Sequence, residues 1–141
     1  MSPLQTASDY RQAGLSHLTM RAVYVAHPLG AGPDRERNRA NAAKWCGELG
    51  RQFRVSCVAD WITLSGQWDE ETGRELGLRC DLALIARCDE IWLTGGRVSP
   101  GMGVELAEAV RLGKVVRDFT ALGYEVPELI GLAPISRGVR S

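Results

Sequence analysis

The chain has 141 residues, 45% hydrophobic and 24% charged, which suits one soluble globular domain with a real core and is short for two. Lys+Arg and Asp+Glu both number 17, so no net charge draws the chain to a nucleic-acid polymer or an anionic membrane, and a small ligand is the better expectation. No apolar run approaches the roughly 20 residues of a membrane span, and Met1 to Met20 lack the apolar core of a signal peptide. A cytoplasmic protein is expected.

Residues 1–18 show no clear period and read as a flexible N-terminal arm or a stray helical turn; the folded domain is expected over 19–133. Arg21 to Ala26 is a β-branched apolar run, short enough for a buried strand. It ends in the turn-rich loop His27-Pro28-Leu29-Gly30-Ala31-Gly32-Pro33. Asp34 is placed to cap a helix to about Leu49, with Ala40, Ala43, Cys46 or Gly47 and Leu49 on its apolar face and Gly50 as its stop. Phe53 to Ala59 reads as a second strand. Asp60 to Gln67, with Trp61 in it and Trp68 after it, reads as a loop loaded with bulky side chains. Asp69 opens a helical pattern to about Arg87 on the period of Leu78, Leu82, Ile85 and Ala86.

Glu90 to Thr94 is the third strand, Pro100 to about Leu112 a helix that stops at Gly113, and Val115 to Phe119 the fourth strand. The remainder holds a short helix near Val126 to Leu132 and a polar tail over 134–141. Alternating strands and helices predict an α/β fold whose parallel sheet is covered on both faces. In such sheets ligands sit beyond the carboxyl ends of the strands, where strand order reverses. If the first and third strands are neighbours, the loops His27–Pro33 and Gly95–Gly103 meet there. These are the two loops richest in glycine and proline.

The stretch Cys88–Lys114 concentrates the candidate chemistry. Ser99 stands at the N-cap and Pro100 at the first helical position. Gly101 and Gly103 each cost roughly 1 kcal/mol in helix propensity against alanine, which suggests that something lies close against the helix start. A helix N-terminus with a hydroxyl and free amides is also an anion site. Glu105 follows one turn later and is a candidate for chemistry in the crevice. Asp81, mid-helix, is either a surface charge near Arg79 or a second carboxylate turned inward. Paired carboxylates suit glycosidic cleavage, one attacking the anomeric carbon and the other handling the leaving group's proton.

Tyr24 has a core position whose hydroxyl needs a partner. Trp61 and Trp68 either stack on a base or close a core. There is no P-loop lysine, and Gly30-Ala-Gly32-Pro-Asp-Arg35 lacks the third glycine of a dinucleotide fingerprint. Cys46, Cys57, Cys80 and Cys88 form no C-x-x-C pair, and His17 and His27 complete no zinc spacing; free thiols and no metal are expected.

Three blocks then carry a resemblance: Tyr24-Val-Ala-His-Pro-Leu-Gly, Asp81-Leu-x-x-Ile-x-x-x-Asp89, and Ser99-Pro-Gly-Met-Gly-Val-Glu105-Leu-x-x-Ala. In order and spacing they resemble the nucleoside 2-deoxyribosyltransferase superfamily, over roughly Val23 to Val116. The resemblance implies a Rossmann-like three-layer fold with a parallel sheet of four to five strands. It also implies cleavage of an N-glycosidic bond with Glu105 as nucleophile, Asp81 assisting the departing base and Tyr24 holding the nucleophile and sugar. Transferases of the superfamily have an aspartate where this chain has Ser99. Relatives that hydrolyse 2-deoxynucleoside 5-monophosphates have serine there, which favours a nucleotide over a free nucleoside.

His27-Pro28 departs from the Gly-Pro or Gly-Ser common after the first strand. The imidazole contacts the ligand, narrows the pocket or signals a different substrate. The expected binding residues are His27, Pro28, Gly30, Trp61, Ser99, Gly101, Met102 and Gly103, with no cofactor. Relatives imply a homo-oligomer, dimer or higher, with Asp60–Trp68 and the chain after Gly123 as places for a neighbouring subunit. The alternative is a nucleotide-binding or sensing module that uses the same crevice without turnover.

Overall fold

A computed structural model of the chain describes residues 6–12, 20–131 and 135–137. Parts of the expected N-terminal arm and of the 134–141 tail lie outside the described residues. The apolar run after Met20 forms β1 (Ala22–Ala26), buried from Val23 onward. Four further strands follow: β2 (Ser56–Val58), β3 (Glu90–Leu93), β4 (Val115–Asp118) and β5 (Ile135–Arg137). They form one sheet in the order β2–β1–β3–β4–β5. The first four strands run parallel, and β5 joins β4 antiparallel. Three residues of the tail thus form the edge strand of the sheet.

Helix α1 (Ala7–Gln12) precedes the sheet. The connections carry α2 (Pro33–Phe53), the single turn α3 (Trp61–Leu64), α4 (Glu70–Arg87) and α5 (Pro100–Arg111). Side chains on a strand alternate between faces, and this alternation sorts the core into two layers. Val23, Val25 and Trp92 pack with Trp45, Leu49, Val55 and Phe119 on the α2 side. Tyr24, Ala26, Ile91, Leu93 and Val116 pack with Ile85, Met102 and Ala109 on the α4–α5 side. The result is the three-layer, Rossmann-like α/β fold. No helix among the described residues is long and apolar enough to cross a membrane.

The α2 layer also buries charge. Glu90 on β3 accepts from the Trp92 indole at 3.0 Å and from Arg117 Nε at 3.3 Å, and it pairs with Arg21. Glu90 and Arg117 are both buried, and a buried carboxylate is tolerated when several donors satisfy it.

Several local expectations need correction. Ala40, Ala43 and Gly47 are exposed, whereas the buried residues of α2 are Asn38, Asn41, Ala42, Trp45 and Leu49. The two asparagines hide the apolar period, and they are buried because backbone carbonyls accept their amides. Asn38 donates to the Leu29 carbonyl at 2.9 Å and Asn41 to the Tyr124 carbonyl at 2.8 Å. Nor does Gly50 stop the helix. It runs on to Phe53 and ends at Arg54, which takes the left-handed conformation (φ 52°) and donates its N–H to the Gly50 carbonyl.

Within the expected loop after β2, Asp60 starts the turn of α3. Ala86 on α4 is exposed. No helix forms over 126–131; instead a 3-10 turn stands earlier, at Thr120–Leu122.

Candidate active site

Strand order reverses between β1 and β3, which are direct neighbours, so the crevice rule for open α/β sheets applies at their carboxyl ends. There the two glycine- and proline-rich loops do meet. Thr94 caps the end of β1, its N–H and hydroxyl both donating to the Ala26 carbonyl at 2.9 and 2.8 Å. Gly95 follows with φ 88°, and a Cβ on it would stand 2.7 Å from Pro28 and 2.8 Å from His27. Only glycine allows that conformation and that approach together.

Tyr24 projects from β1 into the α4–α5 layer, fully buried. Its hydroxyl donates to Oε2 of Glu105, which the second turn of α5 brings down onto the sheet. Glu105 is itself 7% exposed. Asp81, on α4, completes the contact: it interacts with both the Tyr24 hydroxyl and the Glu105 carboxyl, and its Oδ1 is buried without a hydrogen-bond partner. Of the two readings of Asp81, surface charge or inward carboxylate, the geometry is the second.

Burial is the main reason both carboxyls hold protons more tightly than usual. Asp81 is lifted to about 7, with the Asp60 charge adding and hydrogen bonds to Tyr24 and Glu105 opposing. Glu105 is lifted to about 8, with the Asp81 charge adding and the Tyr24 hydroxyl opposing. Two carboxyls this close lose protons in successive steps that belong to the pair. Burial and the neighbouring carboxylates likewise push the Tyr24 phenol well above its ordinary value.

The helix start beside this group is built as its sequence suggests. The Ser99 hydroxyl accepts from the Met102 N–H at 3.3 Å, and the Met102 sulfur accepts from the Ser99 N–H at 3.4 Å. A hydroxyl that accepts as a cap keeps its own proton to donate elsewhere. Nothing lies within 4 Å of a Cβ placed on Gly101 or Gly103, so close packing within the chain does not explain them. The Gly103 N–H donates to the Ser99 carbonyl at 2.9 Å, which leaves Gly101 as the glycine amide at the open helix start. The groove lined by Pro100, Gly103, Val104, Ala107, Glu108 and Arg111 lies on the solvent side of α5. The buried side carries Met102, Glu105 and Ala109.

His27 is 4% exposed, and both ring nitrogens are engaged by the protein. Nδ1 lies 2.7 Å from the Pro28 carbonyl and Nε2 lies 2.8 Å from the Asn41 amide nitrogen. These partners assign the proton to Nδ1, with Nε2 accepting. Burial lowers the pKa of the ring, the Arg97 charge lowers it further, and the Pro28 hydrogen bond opposes both. The imidazole is packed between Trp61, at a ring distance of 6.4 Å, and the edge of Tyr124 at 5.6 Å. Trp61 is 7% exposed, and its indole N–H donates to the Val25 carbonyl at 3.1 Å. Trp61 thus packs against His27 beneath the end of β1. Pro28 is buried beside them, and Gly30 is exposed on the outer loop.

Two residues at this site were not singled out from the sequence. Asp60, in the turn between β2 and α3, adds a third carboxylate, its Oδ1 buried and unpartnered. Arg97 stands exposed two positions before Ser99. Asp60 had one available signal, its place right after a strand's carboxyl end. Arg97 had the glycine pair that turns the loop ahead of it.

The model of a family described as Domain of unknown function (DUF7768) matches residues 21–119, a span that holds β1 through β4 and every carboxylate of the site. No curated protein matches the chain. With the match covering more than half of its length, the chain belongs to the family Domain of unknown function (DUF7768).

Proposed function

We propose that this protein cleaves the N-glycosidic bond of a nucleoside 5′-monophosphate, ribo or 2′-deoxyribo, through a covalent sugar–enzyme intermediate. The observation that carries the reading is the buried contact of Tyr24 with Glu105, with Asp81 against both. A Glu105 oxygen attacks C1′, and the glycosidic bond breaks with its electron pair passing to the base nitrogen. Asp81 gives that nitrogen a proton. Water then attacks the glycosyl ester and gives up a proton to Asp81, and the sugar 5-phosphate leaves with Glu105 restored. If another base takes the place of water, the same intermediate gives transfer.

Tyr24 holds the attacking carboxylate and favours its ionised form by donating to it. The phosphate is assigned to the start of α5, where the Ser99 hydroxyl, the Gly101 amide and the helix dipole favour an anion. The exposed Arg97 on the same loop adds positive charge. The three blocks that resemble the nucleoside 2-deoxyribosyltransferase superfamily support this assignment, because Tyr24, Asp81, Ser99 and Glu105 are the positions they carry.

The test is a chromatographic search for free base after incubation with a panel of nucleosides and their 5′-monophosphates. Base is expected from at least one monophosphate with wild-type protein and from none with Glu105→Ala. Thermal stabilisation by a nucleotide with no base released by any panel member would replace this reading with a binding module.

A further inference from the structure

Two of the residues buried on α2 are asparagines, and both spend their amides on chain at the carboxyl end of the sheet. Asn41, 7% exposed, donates from Nδ2 to His27 Nε2 and to the Tyr124 carbonyl, each at 2.8 Å. An amide nitrogen carries two hydrogens, so both are used. One turn earlier, Asn38 joins the same two segments. Its Nδ2 donates to the Leu29 carbonyl at 2.9 Å, and its Oδ1 accepts from the Tyr124 hydroxyl at 2.8 Å. Burying two amides on a helix costs desolvation that apolar side chains there would avoid. What the chain gains is a tie between the loop after β1 and the segment at Tyr124.

His27 and Tyr124 share one further neighbour, the turn between β3 and α5. Gly95 (φ 88°) lies against His27, where a Cβ would stand 2.8 Å from Nε2, the nitrogen that Asn41 holds. Gly96 (φ 86°) lies against the other segment, where a Cβ would stand 3.0 Å from the Tyr124 nitrogen and 3.1 Å from the Gly123 carbonyl carbon. Both residues pair a positive φ with a close approach that only glycine allows, so the turn is moulded on these two surfaces. Its ends are fixed separately, Thr94 on the Ala26 carbonyl and Ser99 by its cap. The Trp45 indole also donates to the Tyr124 carbonyl, at 2.8 Å. Asn41 holds both surfaces with a single group.

We infer that Asn41 is a positioning residue for the turn that carries Arg97 and Ser99: its one amide fixes the two surfaces on which Gly95 and Gly96 are moulded, and so sets where the phosphate-binding groups stand. This rests on the reading of the α5 start as the phosphate site. Without the amide, His27 Nε2 loses its donor and the ring is no longer held against Gly95. The Tyr124 carbonyl keeps the Trp45 indole but loses its tie to His27. The middle of the turn then loosens while its two ends stay anchored. A substrate feels this as weaker phosphate binding rather than slower chemistry, because Tyr24, Asp81 and Glu105 stand on β1, α4 and α5, outside the turn.

The test is nitrogen NMR of wild-type protein, Asn41→Leu, which keeps the bulk and removes both donors, and Asn41→Ala. In wild type the His27 proton sits on Nδ1 with Nε2 bare, and the Gly96 and Arg97 amides have order parameters of about 0.85. In either variant those two amides fall below about 0.6, while Val25 and Trp92 in the sheet do not change. Inorganic phosphate, titrated while the Gly101 amide is followed, binds the variants about 10-fold more weakly. For a monophosphate that releases base, KM rises by a similar factor and kcat changes far less. A wild-type His27 protonated on Nε2, order parameters of Gly96 and Arg97 unmoved in the variants, or phosphate that binds wild type and variants equally overturns the inference. No phosphate bound by wild type removes the phosphate assignment instead, and the order parameters then still decide whether Asn41 positions the turn.

Discussion

The Tyr24 hydroxyl reaches the Glu105 carboxylate across 81 positions of sequence, and both are buried at the point where β1 and α5 close on each other. Tyr24→Phe keeps the ring and removes only the hydroxyl. The account expects a loss on the order of 10- to 100-fold in kcat/KM for base release. Without the donor, the ionised form of Glu105 is less favoured, so the acid limb of the pH profile moves to higher pH. Initial rates of base release across pH check both effects. An unchanged profile would mean the contact is only packing.

The pH dependence follows from the shared proton. Activity needs one proton on the Asp81–Glu105 pair, and the two sites are lifted to about 7 and about 8. Base release should therefore follow a bell: falling below about 7 as the pair fills, and above about 8 as it empties. Asp81→Asn removes the acid and should cost on the order of 10²- to 10⁴-fold. It also removes a like charge from Glu105, so the surviving activity loses its alkaline limb and extends to lower pH. A bell that persists in Asp81→Asn would contradict the assignment.

The same burial has a cost in stability that Glu105→Gln should relieve. The folded state holds the Glu105 proton up to about 8, whereas the unfolded chain releases it at the ordinary glutamate value. The folded state therefore binds the extra proton between those two pH values. The contribution is present below that window, is lost as pH rises through it, and is gone above about 8. Gln keeps an acceptor for Tyr24 and cannot ionise. Its melting temperature should exceed that of wild type by about 3 °C or more at pH 9, with little difference at pH 5. Equal shifts at both pH values would deny the raised carboxyl.

Substrate class turns on Ser99. Asp is as good an N-cap as Ser, so Ser99→Asp should leave the fold and the cap intact while placing a negative charge where phosphate is assigned. The expected loss is on the order of 10- to 100-fold in kcat/KM for a monophosphate, with the matching nucleoside affected far less. Equal losses on both substrates would move the phosphate elsewhere.

The sheet was largely legible because strands such as Val23–Ala26 and Ile91–Leu93 are short, apolar and bounded by turn residues. Ser99 and Pro100 likewise announced the start of α5. The phase of α2 was not legible. Asn38 and Asn41 look like solvent residues until Leu29 and Tyr124 supply carbonyls for them, and Tyr124 lies 83 positions from Asn41. His27 is satisfied nearer by, through Pro28 beside it and Asn41 on α2, but neither pairing follows from the local pattern. Tyr24, Asp81 and Glu105 were found from their blocks, and the fold brings the three together. Asp60 was missed because an aspartate at the start of a loop reads as a cap or a surface charge, and only the fold buries its Oδ1.

The most direct test of Glu105 as nucleophile is peptide mass spectrometry on protein quenched during turnover of a monophosphate that releases base. The account predicts a sugar-phosphate adduct on the peptide that contains Glu105 in wild-type protein, and no adduct or base release with Glu105→Gln. Base released at the wild-type rate by Glu105→Gln, or an adduct on another residue, would contradict it.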